Sequence, residues 1–410
     1  MDGYWVTAKG LQVRDIYERL LAAASLRSND GAIRVSAEYE PIGGAGDTLF
    51  PPTVKIKEKE TEGAGYLVEP RYVGGEKVEV VWLDQPQSQA NRCEQALMDA
   101  IRDGSAYLPH LMLVTESAGI PVRTTNLQAP HRSRDAYFRD AEDAAGAAFD
   151  MTEPGRALRQ ASSEDWSAYL RLVPSDLAYG VWDSHRKRRI QVKIPRAYKS
   201  AMIGVAPLIG VRGAGRVDPL NLAGDTVQVS GSSWTPIEGT KAPKGAKTAR
   251  MSELGHGMIP PSEGLGGVSV RSVQREASLA MAQLASLRFG DADEEFSAAA
   301  RALVAAIALL GDRLAFASPA LRLRSGCDLV LVSERVQWVQ RGRDGRPQEE
   351  PLAVNTVQEA LALFEIASER ARAAGLEWSA EPVELKPNAS LQQAIDKSFL
   401  ADGVGQAEGE

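Results

Sequence analysis

Cysteine is close to absent. Cys93 and Cys327 are the only two in 410 residues, far apart and without a C-x-x-C partner; this excludes a disulfide scaffold, offers no cysteine zinc site, and points to a reducing intracellular compartment. Histidine is equally scarce. His110, His131, His185 and His256 are the whole set, and no two have the spacing of a metal site such as H-E-x-x-H. Long apolar runs are missing too. The most apolar stretch, Leu303 to Ala317, is interrupted by Asp312 and Arg313, well short of the ~20 residues of a membrane span, and reads as a buried helix. The opening residues, MDGYWVTAKGLQVRD, hold no basic segment followed by an apolar one, so a cytoplasmic protein without a secretory signal or membrane partner is expected.

Phosphate-binding loops fail on register. In GTKAPKGAKTAR, Ala246 separates Gly245 from Lys247, whereas a P-loop needs Gly followed directly by Lys and then Ser or Thr. GVRGAGRVDP, with Gly210, Gly213 and Gly215, lacks the dinucleotide spacing. The cluster Asp291, Asp293, Glu294 and Glu295 lacks the glycine and spacing of a calcium loop, and reads as a helix start. No cofactor and no metal are expected.

What is present is regular in parts. Val13, Ile16, Tyr17, Leu20, Leu21 and Ala24 recur at helical spacing, predicting a helix over about 11–26. Ile33, Val35, Ala37 and Tyr39 alternate with Arg34, Ser36, Glu38 and Glu40, the pattern of a strand with one open face. Ser88 is a plausible N-cap for a helix whose stripe is Ala90, Cys93, Leu97, Ala100 and Ile101. From 107 to 175 the pattern is irregular and reads as an excursion from the core. Ile190, Val192 and Ile194 alternate with Arg189, Gln191 and Lys193 as a second strand. A loop-rich stretch follows over about 210–267, then helical patterns over 270–288, 295–311 and 356–375, with a strand running up to Trp338 between the last two.

One local charge excess stands against an acidic chain of net charge −7. Between His185 and Ser200 lie Arg186, Lys187, Arg188, Arg189, Lys193, Arg196 and Lys199, with no acidic residue among them. A charged strand edge that deters aggregation is the plain explanation. Unbalanced cations repel one another, however, and surfaces normally mix signs, so a polyanion partner accounts for the segment better. Tyr179, Trp182 and Tyr198 flank or interleave it and could stack on bases or simply pack. Arg123, His131, Arg132, Arg134 and Arg139 repeat the theme in the irregular stretch, where an ordinary surface loop fits as well as RNA contact.

Four stretches together resemble one family: DQPQSQANRCEQAL (84–97), LAYGVWDSHRKRRIQVKIPRAYKSAMIGV (177–205), GHGMIPPSEGLGGVSVRSVQREASLAMAQLASLRF (255–289) and LRLRSGCDL (321–329). Their order and spacing are similar to the backbone subunit of the type I-U, or I-G, CRISPR interference complex, in the RAMP superfamily. The resemblance implies an α+β fold: an RRM-like, ferredoxin-type palm with an antiparallel sheet and helices and large finger and thumb insertions. On that basis 1–106 is the first part of the palm, 107–175 a thumb- or finger-like insertion, 176–400 the rest of the palm with its insertion at about 210–267, and 401–410 a disordered acidic tail.

The implied function is a non-catalytic scaffold whose copies polymerise head to tail along CRISPR guide RNA, in a Cascade-like complex with target DNA and with large and RNA-processing subunits. RNA contact is expected from Arg186, Lys187, Arg188, Arg189, Lys193, Arg196 and Lys199, from Gln87, Asn91 and Arg92 near a helix start, where free amides favour phosphate, and from His131, Arg132 and Arg134. Two rivals remain: a type III-like backbone subunit cleaving target RNA through Asp135, Asp140 or Asp176, and a self-assembling protein without RNA.

Overall fold

The computed structural model describes residues 2–401 except 26, 59–60, 184–191, 221, 223–225, 231–232, 238–243, 246 and 380. Its centre is an eight-stranded sheet. In chain order the strands are β1 (Asp30–Pro41), β2 (Val68–Val73), β3 (Glu76–Asp84), β4 (Tyr198–Val205), β5 (Ser272–Ala280), β6 (Ala320–Arg324), β7 (Cys327–Arg341) and β8 (Pro347–Pro351). They lie in the order β6-β7-β1-β5-β4-β3-β2, with β8 on β7, and every neighbouring pair is antiparallel. In β1 the predicted alternation is seen directly, with Ile33, Val35, Ala37 and Tyr39 buried and Arg34 and Glu38 exposed. Val35 sits between Ala277 of β5 and Val336 of β7, so one row of small and branched side chains faces inward across three strands.

Four helices supply the other side of that core: α1 (Asp2–Ala23), α2 (Pro86–Asp103), α3 (Glu294–Phe316) and α4 (Val357–Ala373). Val13, Tyr17 and Leu20 of α1, Cys93 and Leu97 of α2, Leu303 to Leu310 of α3, and Leu363 and Phe364 of α4 share one apolar cluster with Ile33 and Val35. Each large side chain removed from water contributes roughly 1.5–3 kcal/mol. No helix among the described residues is long and apolar enough to cross a membrane.

The helix starts follow local chemistry. Ser88 is not the cap of α2: Gln85 is extended at φ −82°, and Pro86 occupies the first turn, where its fixed φ fits and no N–H is missed. Asp293 caps α3 by accepting the Phe296 N–H at 2.8 Å. Thr356 and Glu359 form a reciprocal capping box on α4. Thr356→Ala is expected to lower stability by about 1 kcal/mol, read as a shift in the urea midpoint without a change in slope.

Three further sequence expectations change in the fold. The segment 270–288, read as helical, is mostly β5, with only Met281–Ala285 helical behind it. Its Val273, Ala277 and Leu279 alternate as a strand requires, but Arg275 occupies the buried phase between them and hides the period. The stretch 107–175 is no excursion. Its Leu111–Ser117 pairs antiparallel with Ile120–Thr125 and parallel with Val383–Pro387, and Leu113, Phe138, Leu158 and Tyr169 join the main core. The last helix, Ala389–Ala401, locks onto this second sheet: Thr115 Oγ1 donates to Gln392 Oε1 at 2.5 Å and Ser117 Oγ to Asp396 Oδ1 at 2.7 Å. Residues 402–410 of the expected tail lie outside the described residues.

The stretch 210–267, expected to be loop, forms a two-stranded arm. Leu208–Arg216 pairs antiparallel with Ile259–Ser269, and a small sheet of Thr226–Ser230, Ser233–Pro236 and Thr248–Arg250 follows its outer end. Leu208 and Val211 are each 75% exposed on it. Glycine allows the arm where close approach demands it: a Cβ on Gly266 would lie 2.5 Å from the Gly210 carbonyl across the pair.

Candidate nucleic-acid interface

Arg186, Lys187, Arg188 and Arg189 lie outside the described residues, but the root of their segment is described. Val181–Trp182 pairs antiparallel with Lys193–Ile194, so Lys193 stands opposite Trp182. The Lys193 ammonium lies 5.7 Å from the indole centroid, within cation–π range, and Trp182 is 54% exposed. Lys193, Arg196 and Lys199 are all exposed. Burial of part of the Arg196 guanidinium, and then the like charge of Arg132, lower its pKa.

Gly180 makes this root possible. At φ 80° and ψ 153° it occupies a conformation essentially reserved for glycine. A Cβ there would lie 2.8 Å from Arg196 N and 2.9 Å from Ile194 O. The chain therefore leaves the short helix Ser175–Tyr179 in an abrupt turn and lies against the residues that return from the basic segment.

Lys199 projects from the open face of the main sheet, opposite Ser278 of β5. That face is not a continuous basic surface. Ser36 donates to Glu276 at 2.7 Å, Arg34 pairs with Glu349, and Glu38 is exposed beside them. Acidic and basic side chains are therefore interspersed on this face.

A second polar region surrounds the start of α2. Two clefts of about 520 and 510 Å³ meet at Ser88, Asn91 and Arg92. Exposed Gln87 lines the second, together with Trp82 of β3 and Arg324 of β6. Arg92 is less free than its position suggests. Its Nε donates to Asp84 Oδ2 at 2.7 Å and its Nη2 to the Leu323 carbonyl at 2.8 Å. Asn91 and Gln87 are exposed here, as are Asp99 and Gln128 of the first cleft, and Arg92 is the brace that ties α2 to β3 and β6.

The irregular stretch places its cations differently from the expectation. His131 is exposed, and its backbone N–H donates to Asp135 Oδ2 at 3.0 Å. Arg132 turns inward to Glu94 of α2, with Nε and Nη2 donating to the two carboxylate oxygens at 2.6 and 2.8 Å. Arg134 is buried, donating through Nε to the Tyr169 hydroxyl at 2.6 Å and through Nη2 to the Leu158 carbonyl. Both guanidiniums are committed within the fold, because this stretch is part of the core and its polar groups must be satisfied there.

The three aspartates of the cleavage alternative are also engaged. Asp135 caps the short helix Ala136–Arg139, and Asp140 pairs with Arg139 at 2.6 Å. Asp176 is buried, accepting from Ser133 and from Asn126; burial pushes its carboxyl up to about 6. Among the described residues no three His, Cys, Asp or Glu side chains are grouped to hold a metal.

Beneath both regions lies a buried polar network that the sequence did not lead us to expect. Gln89 donates to Asp84 at 2.5 Å, and its carbonyl accepts from Ser200 at 2.6 Å and from Arg275 at 3.2 Å. Arg275 continues to Asp312, which also accepts from Arg313 and from the Tyr198 hydroxyl. Arg313 reaches Glu334 of β7. The signal was present in the sequence: Glu94, Arg275 and Asp312 are charged residues at positions whose periodicity faces the core. Both cysteines are buried, and burial raises the Cys93 and Cys327 thiols far out of the reactive range.

No curated protein matches the chain. Among solved structures, a chain of a "CRISPR RNA-guided surveillance complex, pre-nicking" is similar at 11% identity, covering 90% of this chain and 99% of that one, with a TM-score of 0.30. Residues 33–207 match the family model described as CRISPR-associated protein GSU0053. Over 33–207, which holds α2, β4 and the basic segment, the chain is therefore similar to a CRISPR-associated protein family, and two of the four stretches that carry the sequence resemblance, 84–97 and 177–205, lie within that match.

Proposed function

We propose that this chain is a non-catalytic backbone subunit of a type I-G/I-U interference complex, binding guide RNA and repeating along it. The observation that carries this reading is the position of the family match, which contains the acid-free run of cations and the turn that presents its root. The strand order supports an RRM-like palm as well. Around β1, the order β7-β1-β5-β4 with α2 between β1 and β4 and α3 between β5 and β7 has the connectivity of a split β-α-β-β-α-β unit.

In this reading Lys193, Arg196 and Lys199, with the cations at 186–189, neutralise RNA phosphates, while Gln87 and Asn91 add polar contacts at the α2 start. Phosphate contacts position the strand and leave its bases to pair with target DNA, so specificity resides in the guide. Copies of the chain associate through a heterologous contact that repeats without closing. The large and RNA-processing subunits complete the assembly. Structural commitments of Asp135, Asp140 and Asp176 favour the non-catalytic reading over target cleavage.

The test is the RNA content of the purified protein after co-expression with a CRISPR array. Lys193→Ala/Arg196→Ala is expected to lose co-purifying guide RNA. With a synthetic single strand, the slope of log affinity against log salt should become shallower by about 0.7 for each phosphate that is no longer neutralised. Wild-type protein that carries no RNA and stays monomeric would overturn the proposal.

A further inference from the structure

Arg132 has a backbone conformation that needs an explanation. It is one of only three non-glycine residues with positive φ among the described residues, at 53°, a strain of about 1–3 kcal/mol that persists only when its surroundings impose it. Its guanidinium donates three hydrogen bonds. Two go to Glu94, and the third runs from Nη1 to the carbonyl of Gly180 at 3.0 Å. Glu94 is only 1% exposed and belongs to α2, while Gly180 is the turn that sets the root of the basic hairpin. The next residue, Ser133, is held by Asp176, whose own carbonyl accepts the Gly180 N–H at 2.9 Å. Two buried carboxylates thus grip adjacent residues of one loop, and both grips end at Gly180.

We infer that the Glu94–Arg132 ion pair is a positioning latch, which ties the Gly180 turn to α2 and so holds Lys193 and Arg196 in register for a phosphate backbone. The second half of this statement rests on the RNA-binding reading; the latch itself does not. A bidentate fork adds geometric precision that a lone ammonium cannot supply. The groups facing Glu94 are Arg132, Arg196 and Asp176, and burial pushes its carboxyl up to about 7 despite the adjacent guanidinium.

Glu94→Gln separates this role from plain electrostatics by sign. Removing an anion beside a basic hairpin should by itself tighten RNA binding; loss of the latch should weaken it. The expected result is a single-stranded RNA affinity lower by about fivefold to tenfold in Glu94→Gln, with Glu94→Gln/Arg132→Gln no worse than either single variant. Arg132→Lys keeps the charge and loses the fork, and should show the same weakening.

Hydrogen exchange reads the latch without RNA. The Asp183 N–H donates to Val192 O and the Ala197 N–H to Ala178 O, each at 2.9 Å, and both should exchange faster in these variants while β1 is unchanged. Unaltered exchange at Asp183 and Ala197, or tighter RNA binding by Glu94→Gln, would overturn the inference. Faster exchange in a protein whose wild type binds no RNA would uphold the latch and remove the RNA reading instead.

Discussion

Asp312→Ala should lower the stability of the folded chain by about 3–5 kcal/mol, the cost of stranding buried charge. That is a large share of the ~5–15 kcal/mol that holds a typical domain together. Asp312 has no exposed surface, and it accepts from Arg275, Arg313 and Tyr198, all of them buried. Its removal leaves Arg275 with Gln89 and the Tyr198 hydroxyl as its hydrogen-bond partners, and one nitrogen of that guanidinium already lacks any. Arg313 keeps Glu334 at 2.5 Å and is affected less. Urea unfolding followed by tryptophan fluorescence measures the loss, and a change below about 1 kcal/mol would show that the network is dispensable.

The same network sets an acid limit. Burial alone would raise the Asp312 pKa, but Arg275 and Arg313 outweigh it and hold the carboxyl well below the usual range. Because the group ionises at lower pH folded than unfolded, its contribution is present above the ordinary carboxylate value and is lost only as pH falls through the depressed one. Glu94 and Asp176, pushed up to about 7 and about 6 by burial, work the other way. Their contribution is full in acid below the ordinary range and is lost as pH rises through those values.

Gly180→Ala should cost about 2–3 kcal/mol and displace the hairpin root. The positive φ is only part of the penalty. The added methyl would meet Arg196 N at 2.8 Å, Ile194 O at 2.9 Å and Arg196 Cα at 3.0 Å, all backbone atoms that cannot rotate aside. Relief requires the Lys193–Ile194 strand to move away from Val181–Trp182. The expected consequence is a lower melting temperature, with the Lys193 ammonium drawn off the Trp182 ring, seen as a change in Trp182 emission. A variant with wild-type stability and emission would mean that the turn tolerates an L residue.

Where a residue's environment follows from its neighbours in sequence, reading the chain sufficed. The alternation of β1, the stripe of α2, the carboxylate-rich start of α3 and the extent of α4 were all legible, because periodicity and caps act over a few residues. The segment 272–280 was not, since Ala, Leu and Gln favour helix and Arg275 masks a period of two. The arm at 208–269 was hidden for a related reason. Its glycines permit a close strand pair as readily as a loop, and only the partner strand distinguishes them.

For the interface, the sequence alone determined that seven cations cluster without an acid between them, because charge excess is a property of composition. Which of the other expected cations remain available was decided by tertiary structure. Arg132 and Arg134 look like surface cations in a loop, yet the loop packs into the core and finds Glu94, Tyr169 and two carbonyls there. Burial makes an unpaired guanidinium costly, so partners distant in the chain claim each one. Lys193 and Arg196 stay exposed because Gly180 turns the chain at their root, a role visible only once residues 180, 194 and 196 are brought together.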